Sequence, residues 1–526
     1  MQVLRSRTLP TAHPARAQVY GPALVRLALL LAPALVILAV VALQSFRFSA
    51  LNFRDDEIRT VHAALTMSPV EVVQWMSVDI HPPLWRVLAT TWVRLFGVDE
   101  AVARFSSTLT LALALAVFYR LMRDLFSGRV AVMALLLLGT HALVLYYGHE
   151  LRPYAALLLW TNLLHLVFVR WLRRPGLRYG LLYVLAGAAA LYTHFFAMYV
   201  IAAQAAALLA LVRPTGRRYP RAFALMALAG LAFAGWLPSF LHSFLVTKPG
   251  GVDYGISAGA ASLTAIYSLL QVRPSPLANL LQGAAALLPL PALAWRSRSD
   301  AAVFRFRESW PKWYWLIIAV VVLGGALVTN RWIDVLTQRN LVVIVPALAA
   351  LTALGLAALP WQARLVGLAL LLGPAVTDFP DYERILPFRE VANVITPGYE
   401  ADTPIILSVD DGPGDYFAFA YTLMDRLPGV LDQGDMLYLT EGQARVNLPE
   451  PMRDPVTAVT PAALDRLAAL VDGASSVWWV TSDYEPDHAG AFRAQLERDF
   501  ERVAQVNIPA GERYPVDYRV DLYRRR

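Results

Sequence analysis

Three adjacent acidic residues, Asp55, Asp56 and Glu57, follow the first long apolar stretch of the chain. Adjacent carboxylates at a membrane surface can supply a general base or, with further ligands, a site for a divalent metal ion. The alternative is an acidic turn that caps a helix starting near Ile58, because acidic residues are common at helix starts. The spacing alone is compatible with all three roles.

A second polar group lies between two apolar stretches, in the sequence Gly148-His149-Glu150-Leu151-Arg152-Pro153-Tyr154. Pro153 fits the first turn of a following helix, which leaves Glu150 and Arg152 on a tight turn. Ionisable groups so close to apolar spans are costly, and this favours a function. The alternative is a structural ion pair between Glu150 and Arg152.

Cationic or proton-carrying side chains form a third group, which the predicted topology places on the same side of the membrane. Arginine and histidine donate hydrogen bonds to phosphate oxygens, and arginine can do so with two nitrogens. A single histidine on an apolar face is more often only packed, and this applies to His194 taken alone. The members of this group are His81, His194, Arg331 and Arg339, with Arg59 close to the acidic triplet.

Several function classes lose support. The chain has no cysteine, which excludes disulfides, thiolate metal sites and thiol nucleophiles. It has neither a glycine-rich phosphate loop nor a His-Glu-x-x-His motif, so nucleotide hydrolysis and zinc proteolysis are disfavoured. The net charge of +7 resides in short arginine clusters between apolar runs. These clusters indicate positive-inside orientation and argue against nucleic acid as a partner.

Membrane helices must position these residues. Of the 526 residues, 57% are hydrophobic and only 16% are charged, so the bilayer is the main solvent. Crossing ~30 Å of hydrocarbon takes about 20 apolar residues. We expect a polytopic α-helical membrane protein with about eleven membrane helices, near residues 24–46, 104–121, 130–148, 153–171, 178–213, 222–243, 277–295, 313–329, 340–359 and 364–378.

Two segments differ from simple spans. The segment 178–213 is broken at Tyr192-Thr193-His194-Phe195, which predicts a hairpin of short helices or two half-helices. The segment 84–96 carries Arg86 and Arg94, which predicts a helix lying in the interface within a first outer loop at 46–103.

The basic turns also predict the orientation. Arg120, Arg123 and Arg129 mark the cytoplasmic side, and the N-terminus is expected there, ahead of a signal anchor. The composition becomes polar near Asp378, so we expect a membrane domain at 1–378 and an extracytoplasmic α/β domain at 379–526. In the second domain the expected strands are near 405–409, 477–481 and 518–522, and the expected helices are near 416–426, 461–472 and 489–503.

Six motifs in this order resemble the membrane glycosyltransferases of the GT-C fold. The chain is most similar to the dolichyl-phosphate-mannose protein mannosyltransferase superfamily, which includes the bacterial lipid A aminoarabinose transferase. The resemblance covers about residues 20–378. The motifs are Asp56-Glu57; His81-Pro82-Pro83-Leu84-Trp85 with Leu95-Phe96-Gly97; Ala103-Arg104-Phe105-Ser106-Ser107; His149-Glu150-Leu151-Arg152-Pro153-Tyr154-Ala155; Tyr192-Thr193-His194-Phe195-Phe196; and Gln338-Arg339-Asn340-Leu341 with Val345-Pro346-Ala347-Leu348.

The resemblance implies roles for these residues. The implied catalytic residues are Asp56, Glu57 and Glu150, of which Asp56 corresponds to the favoured base and Glu150 shapes the same site. Groups that grip the donor phosphate or bind substrate are implied at Arg59, His81, Arg152, Tyr154, His194 and Arg339. Two positions depart from the family pattern. His81 stands where some members have lysine, so its charge depends on pH, and Gln338-Arg339-Asn340-Leu341 lacks a frequent tyrosine.

The implied activity is that of a hexosyl- or pentosyltransferase. It moves a sugar from a polyprenyl-phosphate lipid to a glycan, lipid or protein acceptor of the cell envelope, outside a bacterial plasma (inner) membrane. A polyprenyl phosphate is a good leaving group, so a carboxylate base and nearby cations suffice. In-line displacement predicts inversion, and no cofactor is required. A divalent metal at Asp55, Asp56 and Glu57 is the less favoured variant. The alternative from another class is a lipid or solute transporter or flippase, because intramembrane ionisable groups also mark translocation paths.

Overall fold

The structure is a computed structural model. The residues that it describes are 17–46, 48, 53–214, 217–247, 266, 269, 303–305, 309–333, 335–377, 388–400, 403–408, 422, 436–439, 456–482, 485–509 and 517–526. The predicted span at 277–295 and all of the predicted helix at 416–426 except Thr422 lie outside these residues.

The first long helix and three short helices precede the main body. Helix α1 is Ala17–Ser45, and α2, α3 and α4 are Asp55–Thr66, Pro69–Met76 and Leu84–Phe96. Helix α3 starts with a capping box, in which Ser68 and Glu71 satisfy each other's backbone N–H groups. The 13 residues of α4 extend only ~20 Å at 1.5 Å per residue. This length is too short for a span and suits the predicted interfacial helix.

Nine further α-helices form the first part of the described membrane body, and two more complete it. They include the pair at 177–193 and 197–211, so the segment 178–213 is indeed two helices that break at His194. The helices are α5 Glu100–Leu125, α6 Gly128–Gly139, α7 Ala142–His149, α8 Tyr154–Arg173, α9 Leu177–Thr193, α10 Ala197–Leu211, α11 Arg218–Ala232, α12 Leu237–His242 and α13 Trp310–Thr329. A 3₁₀ turn at Arg339–Ile344 then leads into α14 Val345–Ala358, and α15 Trp361–Thr377 follows.

Five described stretches are long and apolar enough to cross a membrane, and α6 with α7, bent by 61°, forms a sixth candidate. Four shorter apolar helices, including α9 and α10, add to the body. The chain is therefore a multi-pass membrane protein. The count of eleven membrane helices stays a prediction.

Helix α7 is packed closely against α1 and α5, and this contact positions the turn at 150–153. Gln44 of α1 donates to the carbonyls of Val144 and Leu145 at 3.3 and 3.4 Å. A Cβ on Gly148 would come within 2.7 Å of the Gln44 and Leu111 side chains. A glycine therefore allows this close approach, whereas a larger residue would require the Gln44 and Leu111 side chains to move.

A buried polar cluster connects the helices deeper in the body. The Tyr314 hydroxyl and the Gln204 amide lie 2.6 and 3.1 Å from Nδ1 of His165, and the Tyr183 hydroxyl donates to Gln204 at 2.8 Å. All four side chains are almost fully buried. Because these groups satisfy one another, the cluster stabilises the packing of α8, α9, α10 and α13.

The second domain is an α/β domain with a five-stranded sheet. Its helices are α16 Phe388–Ile395, α17 Pro461–Val471 and α18 Ala489–Leu496. In the sheet order β2-β1-β3-β5-β4, β1 is parallel to β2 and β3, whereas β5 is antiparallel to β3 and β4. The strands are β1 Ile405–Ser408, β2 Met436–Leu439, β3 Ser476–Ser482, β4 Phe500–Ile508 and β5 Tyr518–Arg525.

The helix predicted at 489–503 is partly wrong. Helix α18 ends at Leu496, and the chain from Phe500 onward is a strand. Pairing between distant segments explains the difference, because Phe500 lies opposite Arg525 and Ile508 opposite Tyr518. Such pairing overrides the local helix preference of the charged residues near 497–502.

The sheet and the first loop share one hydrophobic core. Phe388 and Val391 of α16 belong to the same buried cluster as Ile58 of α2, Trp85 of α4 and Val520 of β5. An ion pair of 2.6 Å between Arg389 and Glu100 adds a contact with the start of α5. The C-terminal domain therefore braces the loop helices that carry the acidic residues.

We predict that Phe388→Ala destabilises the protein. Phe388 is 1% exposed, and emptying such a site costs about 3–5 kcal/mol. A thermal melt of the purified chain should show a clearly lower midpoint. The control is Val503→Ala, at a β4 residue that is 42% exposed, and its midpoint should stay near that of the wild type. Equal midpoints for Phe388→Ala and the wild type would show that this core does not contribute to stability.

Candidate active site

Asp56 lies where three distant parts of the chain meet. Helix α2 presents its carboxylate to Nη2 of Arg152 at 3.0 Å and to Nη1 of Arg339 at 3.5 Å. Its side chain is 40% exposed, whereas that of Arg152 is only 5% exposed. Asp56 and Arg339 are therefore the accessible members of the cluster. The predicted convergence of the acidic residues, the 150–153 turn and Arg339 is found.

The surrounding charges set the protonation state of Asp56. Burial alone would raise the pKa of its carboxyl, but the nearby Arg152 and Arg339 lower it well below its usual range. His81 and Arg59 lower it further. Asp56 is therefore ionised at neutral pH, and its carboxylate can accept a hydrogen bond from the hydroxyl group of a bound molecule.

Glu57 is turned in the opposite direction and is fully engaged. Its two oxygens accept from Nε and Nη2 of Arg104 at 2.9 and 2.7 Å. They also accept from the backbone N–H groups of Leu151 and Arg54, each at 3.0 Å. Burial opposes ionisation, but Arg104 and these hydrogen bonds lower the pKa of Glu57 to about 2. These contacts support the capping role for Glu57 that the sequence left open.

Glu150 forms its ion pair with Arg54, whereas the structural alternative predicted from the sequence is a pair with Arg152. The Nη1 group of Arg54 contacts both the Glu150 carboxylate and, at 2.8 Å, the Tyr146 hydroxyl. The tight turn explains the difference, because Arg152 is directed to Asp56 instead. Glu150 is 7% exposed, and burial raises its pKa although Arg54 opposes this shift.

Two histidines and a tyrosine lie beside the cluster. Nδ1 of His81 lies 3.1 Å from Asp79 Oδ1, which also accepts from the His81 backbone N–H at 2.9 Å. The ring of His194 lies 5.7 Å from that of His81 and 6.1 Å from that of Tyr154. Burial lowers the pKa of His81, although the hydrogen bond to Asp79 raises it. The three rings therefore lie together beside the cluster.

Three other residues predicted for the site, Arg59, Arg331 and Asp55, differ in where they lie. Arg59, on α2, is partly buried and contributes positive charge at Asp56. Arg331 is exposed beyond the end of α13. The Asp55 side chain lies outside the described part of the chain. In that described part, no group of three or more histidine, aspartate or glutamate side chains could hold a metal ion.

Arg54, Asp79 and Arg86 lie at the site but were not predicted from the sequence as site residues. Arg86 is 6% exposed, contacts the Thr60 hydroxyl and lies 5.0 Å from the Trp75 ring centre. Burial lowers its pKa to about 10. A signal was present, because an arginine directly after Trp85 in an apolar helix is expected to face a polar partner.

Two cavities adjoin the cluster. A cavity of about 250 Å³ is lined by Thr60, His81, Arg86 and Arg152 among others. A second cavity of about 490 Å³ is mostly apolar and aromatic. Its lining includes Ile80, Phe195, Phe196, Tyr199 and Phe240. An apolar space therefore lies next to the two histidines.

The chain was compared with known proteins. Residues 80–240 match the family model described as dolichyl-phosphate-mannose-protein mannosyltransferase. No curated protein matches the chain. Among solved structures, the oligosaccharyltransferase of Archaeoglobus fulgidus, tethered with an acceptor peptide, is 12% identical with a TM-score of 0.50, and the match covers 86% of this chain and 68% of that one.

Structures of ArnT from Cupriavidus metallidurans also match. The apo form is 14% identical with a TM-score of 0.43, and the form bound to undecaprenyl phosphate is 13% identical with a TM-score of 0.44. Each match covers 93% of this chain and 97% of that chain. The resemblance inferred from the motifs is confirmed: the chain has the GT-C membrane fold, and its residues 80–240 carry the sequence pattern of the dolichyl-phosphate-mannose-protein mannosyltransferases.

Proposed function

We propose that this chain transfers a hexose or pentose from a polyprenyl-phosphate donor to an acceptor hydroxyl or amide at the membrane face that carries Asp56. The observation that carries the proposal is the accessible Asp56 carboxylate, held by Arg152 and Arg339. The matched family model, whose description contains a dolichyl-phosphate sugar, supports the donor class.

In the proposed reaction, Asp56 takes the proton of the acceptor group as that group attacks the anomeric carbon. The bond to the phosphate breaks, and its electron pair stays on the phosphate oxygen. Asp56 is weakly basic while two arginines neutralise it. A bound phosphate would add negative charge beside it and share those arginines, which would raise the basicity of Asp56. Attack opposite the leaving group gives an inverted product.

The remaining cations would hold the donor phosphate. Arg339 is the most exposed of the arginines that reach Asp56, and Arg59 and His81 add charge nearby. His194 and Tyr154 would line the sugar pocket, next to the apolar cavity that suits the first prenyl units. Glu150 would shape the site through Arg54. We assign Glu57 to positioning rather than catalysis, because its carboxylate accepts hydrogen bonds from Arg104 and from the backbone N–H groups of Leu151 and Arg54.

We also propose that the site faces the outside of a bacterial plasma membrane, with the N-terminus in the cytoplasm. The basic ends of α5 and α8 support this orientation by the positive-inside rule. No nucleotide is needed there. A metal is not required in this scheme, since Arg152 and Arg339 already supply the positive charge.

Asp56→Asn should lower glycosyl transfer by about 10²–10⁴-fold, because a general base contributes that much. The assay measures transfer by the purified chain in nanodiscs with radiolabelled mannosyl undecaprenyl phosphate. A separate measurement compares envelope glycans from cells with and without the chain by mass spectrometry. Asp465→Asn, at an exposed residue of α17, is the matched control. Activity should survive EDTA. Wild-type rates for Asp56→Asn would refute the base assignment, and lipid flipping without any glycosidic product would establish the transporter alternative.

Glu57→Gln should lower thermal stability, because it leaves the buried Arg104 charge without its counter-charge. Breaking such a pair costs about 3–5 kcal/mol. The measurement is a thermal melt together with the transfer rate of the folded fraction. Glu71→Gln, at an exposed capping residue, should change little. A large loss of rate at an unchanged melting midpoint would show instead that Glu57 is catalytic.

Donor binding should weaken as the pH rises. Burial lowers the pKa of His81, so its cation is present at low pH and is lost as the pH rises through that lowered value. The wild-type KM for donor should therefore increase with pH in the range below about pH 6.5, the usual pKa of histidine, and change little above it, whereas His81→Lys should keep a low KM throughout. His81→Gln should give a high KM at every pH. A flat wild-type KM, or a wild-type profile for His81→Gln, would contradict a phosphate contact by His81.

A further inference from the structure

A strongly basic cavity lies at the opposite end of the two central helices. Asp124 of α5 is 20 residues beyond Arg104, and a helix rises 1.5 Å per residue, so about 30 Å separates this end from the candidate active site. The open cavity measures about 1270 Å³. Its described lining residues are Arg120, Asp124, Arg170, Arg173, Arg174, Tyr179 and Val303.

Asp124 organises the arginines of this cavity. Its Oδ2 accepts from Nε of Arg170 at 2.7 Å, and its Oδ1 lies 3.3 Å from Nη2 of Arg120. Its backbone carbonyl accepts from Nη1 of Arg173 at 2.8 Å. The guanidinium groups of two helices, α5 and α8, are thereby held toward one space.

Aromatic contacts fix one of these arginines further. The guanidinium of Arg173 lies 5.7 Å from the ring centre of Trp310, at the start of α13. Trp310 stacks on Phe304 with ring centres 3.7 Å apart and planes 4° apart. Trp310 and Phe304 are both almost fully buried. This support limits the freedom of the side chain before any ligand arrives, which lowers the entropic cost of binding.

The charges in the described lining do not balance. Four arginines face one carboxylate, which leaves an excess of three positive charges. An orientation signal needs arginines near helix ends, but it does not require them to converge on one cavity. Guanidinium groups pair with phosphate oxygens through two nitrogens. The cavity therefore has the composition of a phosphate site at a membrane surface.

We propose that this cavity binds the phosphate headgroup of an anionic phospholipid. The position favours a lipid over a soluble phosphate, because the cavity lies between the ends of apolar helices and its lining includes Tyr179 and Val303. Aromatic residues and arginines near the ends of membrane helices are typical of contacts with lipid headgroups. The inference is independent of the proposed glycosyl transfer.

The test uses the full chain in nanodiscs of phosphatidylcholine with increasing cardiolipin. Thermal melts should show a midpoint that rises with cardiolipin, and native mass spectrometry should show retained cardiolipin. Arg170→Gln with Arg173→Gln should weaken retention roughly 30-fold, the effect expected for two arginines at an anionic surface. Arg120→Gln with Arg174→Gln should weaken it as well, and keeps the contacts of Arg170 and Arg173 with Asp124 if the first pair fails to fold.

The matched control is Arg217→Gln with Arg221→Gln, which removes the same charge from exposed positions at the start of α11. This pair does not line the cavity and should retain cardiolipin like the wild type. An equal loss in the control would reveal only a general surface-charge effect and overturn the proposal. Unchanged retention in both cavity variants would also overturn it. So would competition by millimolar inorganic phosphate, which would identify a soluble phosphate as the ligand.

Discussion

The buried ion pair between Glu57 and Arg104 is the constraint on which the candidate site depends. Both side chains are at most 2% exposed, so neither charge is stabilised by water, and each needs full compensation inside the protein. Two hydrogen bonds between the groups and two from backbone N–H groups supply it. Because the pair joins α2, α5 and the turn at Leu151, it fixes the relative positions of Asp56 and Arg152.

Adjacent carboxylates acquire different roles from this arrangement. Successive residues of a helix point about 100° apart, so α2 directs Glu57 into the protein and Asp56 toward Arg152 and Arg339. Glu57 meets a bidentate partner and backbone donors, whereas Asp56 meets two arginines that only partly cover it. The same physical principle applies at 150–152, where Glu150 turns to Arg54 and Arg152 turns to Asp56. The Glu57–Arg104 pair is therefore structural and buried, whereas Asp56 and its arginines form an accessible group.

The sequence predicts much of this arrangement, because the lengths of the apolar segments and the basic turns between them indicate where membrane helices begin and end. It also predicts that Asp56, Arg152 and Arg339 share one face. It does not predict that Glu150 pairs with Arg54, since that choice depends on a turn of a few residues. The roles of Arg86 and Arg104 also depend on packing between helices, and strand β2 at Met436–Leu439 depends on its pairing with β1. Local patterns contain no information on such partners.

The C-terminal domain extends the same constraint. Helix α2 carries Asp56 on one side and contributes Ile58 to the core shared with α16 and the sheet. Arg389 holds Glu100 at the start of α5, one turn before Arg104. The domain therefore contacts both helices of the Glu57–Arg104 pair. A loop between a first span and the membrane body would otherwise move relative to α5, and the geometry of Asp56 needs to hold within a fraction of an ångström for catalysis. Bracing of α2 and α5 follows from these contacts as a role of the domain, whatever acceptor the site takes.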